Sequence, residues 1–158
     1  MAYTFRPMDE ADARAIAAWH YDPPYAIYNA VNPDEIADLL DQRSPYYAAR
    51  DGRGDLVGFF AYGTAGEVEG FVEPRLYGSD RVLTIGLGLR PDLTGRGLGL
   101  AFVEAGMSFA RERYSPAAFR LFVLSFNERA IRVYERAGFL AVRVFRRPDG
   151  LEFTEMRR

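Results

Sequence analysis

The alternation of hydrophobic and polar residues along the chain predicts a mixed α/β domain. Apolar residues at every second position predict strands at 3–8, 45–51, 55–63, 82–90, 119–125, 140–147 and 151–157. Apolar residues three and four positions apart predict helices at 9–20, 32–42, 98–114 and 127–138. The predicted order is β-α-α-β-β-β-α-β-α-β-β, and the segment 64–80 stays unassigned. No change in composition divides residues 1–158, so a single domain is expected.

Turn and cap residues support these boundaries. Asn32 can cap the second helix, Pro33 suits its first turn, and Glu35 completes a capping box. Gly138 stands where a helix commonly ends. The Pro- and Tyr-rich stretch 21–31 is predicted to form a structured loop between the first two helices.

Composition excludes several classes of protein. The formal net charge of −2 argues against a nucleic-acid binder, and no apolar run reaches the length of a transmembrane helix. The first residues lack the pattern of a secretory signal, so we expect a cytoplasmic protein without a membrane partner. Cysteine is absent, which excludes disulfides, zinc-thiolate sites and thiol nucleophiles, and no metal site is predicted. All 20 cationic residues are arginine, so no lysine can act as a nucleophile.

Three glycines alternate with other residues where the third helix is expected to begin. Gly95, Gly97 and Gly99 follow the strand 82–90 and a short turn. The first amides of a helix lack internal partners and carry partial positive charge, so they form an anion site. Glycine lets a phosphate approach the backbone and permits unusual φ angles. The alternative is that the glycines only allow close packing between helix and strand.

Two segments resemble the signatures of the GCN5-related N-acetyltransferases (the GNAT superfamily). Residues 87–99 resemble its acetyl-CoA motif, Q/R-x-x-G-x-G/A after a strand and a proline. Residues 127–139 are similar to its second signature, N-x-x-A-x-x-x-Y-x-x-x-G-F, with some similarity to ribosomal-protein-alanine N-acetyltransferases. The order of elements also resembles the GNAT fold. The resemblance therefore covers nearly the whole chain.

The resemblance implies acetyl-CoA as acyl donor and assigns roles to both segments. Leu87, Gly88 and Leu89 would pair with the pantetheine arm, and an amide near Leu87 would polarise the acetyl carbonyl. Asn127 would contact the pantetheine part, and Tyr134 would protonate the departing thiolate. The pyrophosphate would be wrapped by Gly95, Arg96, Gly97, Leu98, Gly99 and Leu100.

The sequence departs from the family pattern at two places. Thr94 stands where Gln or Arg is usual, and its hydroxyl could instead cap the following helix. The strand 82–90 has no carboxylate, whereas many relatives place a glutamate base there. The general base is therefore unassigned. His20 and the glutamates 67, 69 and 73 are weaker candidates for it.

Several candidate residues also have a purely structural interpretation. Asn127 could be a helix cap only, unless Ser125 and Glu128 form the capping box and leave it for a ligand. Tyr134 could be a packed aromatic residue. The aromatic residues clustered around the end of the first helix could belong to the core or form an acceptor wall: Trp19, Tyr21, Tyr25 and Tyr28. Three arginines are predicted to form a solvated helix face, with a contact to the cofactor's 3′-phosphate as the alternative: Arg129, Arg132 and Arg136.

These features together predict an acetyl-CoA-dependent N-acetyltransferase that transfers the acetyl group directly to a primary amine. The acceptor is a small molecule or a protein N-terminus, and the chain is a monomer or homodimer. The alternative is a non-catalytic acyl-CoA-binding sensor, motivated by the missing carboxylate. A nucleotide-binding module that uses the same glycine turn is a further alternative.

Overall fold

The computed structural model describes residues 2–31, 34–66 and 75–158. Its strands are β1 (Thr4–Pro7), β2 (Tyr46–Arg50), β3 (Leu56–Tyr62), β4 (Val82–Leu89), β5 (Ala118–Leu124), β6 (Leu140–Arg146) and β7 (Glu152–Arg157). Its α-helices are α1 (Glu10–Ala17), α2 (Asp34–Leu39), α3 (Gly99–Tyr114) and α4 (Glu128–Arg136). The predicted order of elements is confirmed. The predicted roles of Asn32, Pro33, Glu67, Glu69 and Glu73 fall on positions outside the described residues.

Helix α1 ends three residues before the predicted boundary at position 20. The amide of Trp19 donates to the carbonyl of Ile16 (3.0 Å), which tightens the last turn. The indole of Trp19 then lies 6.3 Å from the ring of Phe59 on β3. Tertiary packing of this side chain therefore takes the chain out of the helix and into the loop that reaches α2.

The strands form one sheet in the order β1-β2-β3-β4-β5-β7-β6. Neighbouring strands are antiparallel except β4 and β5, which run parallel. These two strands pair only from Val82 with Ala118 to Thr84 with Arg120. Beyond Thr84 they separate, and the sheet opens into a cleft.

The hydrophobic core lies between one face of the sheet and helices α3 and α4. Phe102 and Met107 of α3 pack with Leu83 and Ile85 of β4, and all four are at most 1% exposed. Burial of such side chains supplies the main stabilisation of the fold. The helices formed by the described residues include none that is long and apolar enough to span a membrane.

Candidate active site

The cleft between the separated strands encloses about 870 Å³. This volume is in the range of ligand-binding cavities. The eleven predicted cofactor and catalytic residues lie at positions 87–89, 95–100, 127 and 134. Nine of them line the cleft, and Arg96 and Leu98 do not. The four predicted acceptor residues also line it: Trp19, Tyr21, Tyr25 and Tyr28. The fold thus brings three distant segments of the sequence to one cavity.

One edge of β4 faces the cleft with its backbone. The carbonyl of Thr84 accepts from the amide of Gly63 (2.9 Å), and the amide of Arg90 donates to Val57 (2.7 Å). Even-numbered residues of β4 therefore direct their backbone groups to β3, since these groups alternate along an antiparallel strand. The amides and carbonyls of Leu87 and Leu89, which lie beyond the last pair with β5, consequently point toward the cleft. An extended ligand could pair with this edge as a strand would.

The three alternating glycines serve two different purposes. Gly95 (φ +69°) and Gly97 (φ +78°) adopt left-handed backbone conformations, and a Cβ at Gly97 would meet no atom within 4 Å. At Gly99, a Cβ would lie 3.0 Å from Cγ2 of Val133 on α4. Gly95 and Gly97 therefore shape an open turn, whereas Gly99 allows two helices to pack closely.

The start of α3 carries no side-chain cap. Leu98 occupies the N-cap position without a side-chain hydrogen bond. The prediction that Thr94 caps this helix is wrong, because its hydroxyl donates to the carbonyl of Pro91 (2.7 Å) and closes the preceding 3₁₀ turn. The amides of the first turn of α3 lack acceptors within the helix. They are thus disposed to bind an external anion.

Asn127 has a structural role and also contacts the loop. Its Oδ1 accepts from the amide of Ala130 (3.1 Å), so it is the N-cap of α4. Its Nδ2 donates to the hydroxyl of Tyr28 (2.9 Å). The alternative capping box is wrong, because the hydroxyl of Ser125 hydrogen-bonds to that of Thr154 (2.8 Å). A contact between Asn127 and a cofactor stays a prediction.

Tyr134 lines the cleft, and its ring packs edge-on against Phe139 at 6.2 Å. Its hydroxyl forms no hydrogen bond with any residue in the described part of the chain. Burial, and secondarily the nearby Tyr28, raise the pKa of Tyr134 well above that of a free tyrosine. The phenol is therefore protonated at neutral pH and has a proton to donate.

The loop after α1 spans the mouth of the cleft through its tyrosines. The hydroxyl of Tyr21 donates to the carbonyl of Leu89 at the end of β4 (2.7 Å), and burial raises its pKa to about 12. Tyr28 packs against Tyr21 at 6.2 Å and reaches Asn127 on the other side. Tyr25 and Tyr28 also pack on Phe126, at 6.0 and 6.5 Å. Phe126 was not predicted, since it belongs to no motif.

Carboxylates enter the cleft from α2, which the sequence reasoning did not anticipate. Glu35 and Asp38 both belong to the lining, and Glu35 Oε1 accepts from the amide of Val31 (3.2 Å). Burial, followed by the charges of Asp38 and Asp41, raises the pKa of Tyr46 beside them to about 12. The side chain of His20 is 74% exposed and does not line the cleft.

The three arginines of α4 do not form one uniform solvated face. Arg132 is 75% exposed and pairs with Glu128 (3.5 Å), as predicted for such a face. Arg129 is half-buried, lines the cleft and lies 4.1 Å over the ring of Tyr25. The prediction is therefore wrong for Arg129, because tertiary contacts with the loop draw it inward.

Comparison with known proteins gives a family match over most of the chain. The family model for the acetyltransferase (GNAT) domain matches residues 3–140. The chain is 39% identical over 94 residues to a mycothiol acetyltransferase of Propionibacterium freudenreichii. The aligned region covers 60% of this chain and 27% of that protein. A mycothiol acetyltransferase of Streptomyces coelicolor is 37% identical over 87 residues, 54% of this chain and 28% of its own length. The similarity thus spans little more than a quarter of either relative.

Solved structures share the fold over nearly the whole chain. Aminoglycoside acetyltransferase AAC(6')-Ib in complex with coenzyme A superposes with a TM-score of 0.77 at 23% identity, covering 99% of this chain and 94% of that one. A chimera of spermidine N-acetyltransferase SpeG from Vibrio cholerae gives a TM-score of 0.73 at 16% identity, covering 99% and 95%. At these identities the likeness establishes the mixed α/β fold.

Proposed function

The chain belongs to the acetyltransferase (GNAT) domain family, and we propose that it transfers the acetyl group of acetyl-CoA to the primary amine of a small molecule. The observation that carries this proposal is the edge of β4 that no strand covers beyond the pair of Thr84 with Arg120. Backbone groups of Leu87 and Leu89 point into a cleft that has the open glycine turn at one end. An extended chain that ends in a pyrophosphate has matching chemistry.

The residues present fit the donor part by part. The amides that begin α3 and the turn at Gly95 and Gly97 would hold the pyrophosphate. The edge of β4 would pair with the pantetheine amides, with Leu87 near the reacting end. Acetyl-CoA supplies an acetyl group activated as a thioester.

Two groups of the chain would act on the reaction itself. The amide of Leu87 would donate a hydrogen bond to the acetyl oxygen, where negative charge develops. The hydroxyl of Tyr134 lines the cleft and is protonated, so it would be the group that gives a proton to the departing thiolate. Most of the acceleration would come from positioning the amine and from the fixed donors around it.

The acceptor end of the cleft favours a small cationic amine over a protein N-terminus. Trp19, Tyr46 and Phe59 supply aromatic walls, while Glu35 and Asp38 supply negative charge. Aromatic faces and carboxylates both attract ammonium groups. The names of the mycothiol acetyltransferases also support a small acceptor. Glu35 and Asp38 are in addition the candidates for the general base among the described residues.

Calorimetry with acetyl-CoA, CoA, ATP and NAD tests the donor. We expect micromolar binding of acetyl-CoA and CoA, and none of ATP or NAD. Preferential binding of ATP or NAD would instead support the nucleotide-binding alternative. Absence of CoA binding would overturn the proposed function.

An acetylation screen then tests the acceptor. Small amines, including polyamines and amino sugars, are compared with peptides that carry free N-termini, with thiol release as the readout. We expect turnover with small amines. Turnover with peptides alone would reassign the acceptor. Tight acetyl-CoA binding without turnover on either panel would favour the sensor, to which the lack of a carboxylate on β4 already points.

A further inference from the structure

The guanidinium group of Arg129 lies against the glycine turn. A Cβ at Gly95 would be 3.3 Å from Nη1 of Arg129, which comes from α4, 34 positions further along the chain. The same guanidinium stacks on the ring of Tyr25 at 4.1 Å. Stacking on an aromatic face limits the freedom of the side chain. Arg129 is thus held beside the backbone amides that face the proposed pyrophosphate site.

Two other polar side chains near this turn, those of Arg90 and Thr94, are already engaged, whereas Arg96 within the turn is exposed. Arg90 donates from Nε and Nη2 to Asp92 (2.7 and 3.1 Å) and from Nη1 to the carbonyl of Leu56 (2.9 Å). The hydroxyl of Thr94 donates to Pro91 (2.7 Å). Arg129, by contrast, forms no ion pair with a carboxylate of the described residues. Its positive charge therefore has no carboxylate partner among these residues, at the place where an anion is expected.

We propose that Arg129 binds the pyrophosphate of CoA together with the amides of the glycine turn, an inference that rests on the proposed function. It supplies from α4 the hydrogen-bond donor that the acetyl-CoA motif would place at position 94 as Gln or Arg, where this chain has threonine. The planar guanidinium can donate two hydrogen bonds to phosphate oxygens. The backbone amides and the guanidinium then approach the same anion from two elements.

Calorimetric titration of CoA and dephospho-CoA tests this assignment. Arg129→Gln is compared with wild type and with Arg132→Gln, a matched control one turn away on the exposed side of the same helix. We expect Arg129→Gln to weaken both ligands about 10- to 100-fold, the effect of losing a hydrogen-bonded charge. The control should bind like wild type. The affinity of Arg129→Gln should also fall less steeply with added NaCl, because one ion pair is gone.

The possible results separate the inference from the proposed function. Wild-type affinity in Arg129→Gln, or an equal loss in Arg132→Gln, would overturn the role of Arg129. A loss with CoA but not with dephospho-CoA would move the contact to the 3′-phosphate and overturn the pyrophosphate assignment. A wild-type chain that binds neither ligand would overturn the proposed function itself. Thermal unfolding of each variant verifies that a loss of binding does not reflect a loss of fold.

Discussion

The proposed donor and acceptor ends of the cleft are built in different ways. The donor end uses mainly backbone groups from one continuous stretch, the edge of β4 and the glycine turn that leads into α3. The proposed acceptor end uses side chains from separate segments, namely aromatic residues after α1 and on β2 and β3, and carboxylates of α2. One end depends on chain geometry and the other on side-chain identity.

This difference explains why the donor is easier to assign than the acceptor. A backbone site needs glycines at fixed spacings and a strand before them, so it leaves a short signature in the sequence. A wall of side chains from distant segments leaves none, since aromatic and acidic residues are common everywhere. Substitutions at each end test how far the two ends are independent.

The largest expected effect is at Tyr134, the side chain that lines the cleft and is proposed to protonate the thiolate. Replacing it with phenylalanine removes the proton donor but keeps the ring on Phe139. We expect kcat to fall about 100-fold or more, the usual contribution of a general acid, with little change in acetyl-CoA affinity. Steady-state kinetics and calorimetry check both numbers. Unchanged kcat would remove the phenol from the mechanism.

A matched control is available in Tyr77. Its hydroxyl donates to the carbonyl of Tyr114 (3.3 Å), and it does not line the cleft. Tyr77→Phe should retain both kcat and affinity. A similar loss of kcat in the control would show that the effect of Tyr134→Phe comes from stability rather than chemistry.

The next effect separates two glycines of the donor end. Gly97→Ala puts a side chain on a residue with φ +78°, which costs about 1–2 kcal/mol if the turn keeps its shape. We expect CoA affinity to fall about 5- to 30-fold, because the turn must relax away from this geometry. Calorimetry measures the change.

Gly99→Ala serves as the comparison for this substitution. Its Cβ would press on Val133, so α3 and α4 must shift slightly, but the backbone of the turn keeps an ordinary φ. We expect a smaller loss of CoA affinity than in Gly97→Ala, accompanied by a change in thermal stability. Equal losses of affinity would indicate that helix packing, rather than the open turn, governs donor binding.

The fold and the donor end could be predicted from the sequence because their signals are local. Gly138 does follow α4 in a left-handed conformation (φ +94°), as its position after the periodic segment predicts. Asn127 does cap α4, a role that depends only on residues up to Ala130. Its hydrogen bond to Tyr28 joins positions 99 apart, so no local pattern could indicate it. The inward position of Arg129 depends in the same way on a ring from the distant loop.

A smaller effect tests whether the two ends compete. The hydroxyl of Tyr21 donates to the carbonyl of Leu89, and the hydroxyl of Tyr28 accepts from the side-chain amide of Asn127. The donor would contact these same two groups. If the donor displaces them, Tyr21→Phe and Tyr28→Phe should each bind acetyl-CoA about two- to tenfold more tightly, the worth of one hydrogen bond. Calorimetry is the measurement, and Tyr77→Phe is again the control.

The opposite result would change the interpretation of the loop. Weaker acetyl-CoA binding in Tyr28→Phe would mean that the tyrosine orients Asn127 toward the donor instead of competing with it. The KM for acetyl-CoA separates the two cases as well, since competition predicts a lower KM with kcat retained. A loop that merely stabilises the fold would give a lower melting temperature without a specific change in KM.

The smallest effect concerns stability at high pH and is confined to the acceptor end. The pKa of Tyr46 is about 12 in the folded chain, against 10.0 for a free tyrosine. Below pH 10 both states are protonated, and the contribution of Tyr46 to stability is fully present. Above pH 10 the unfolded chain ionises first, so this contribution declines and is lost as the pH passes 12. At pH 10.5 the loss is about 1 kcal/mol or less.

Thermal unfolding of Tyr46→Phe from pH 8 to 10.5 should therefore show a shallower decline in melting temperature than wild type. Parallel declines would mean that Tyr46 is not held protonated by burial beside Asp38, and that the acceptor end is more hydrated than its aromatic walls suggest.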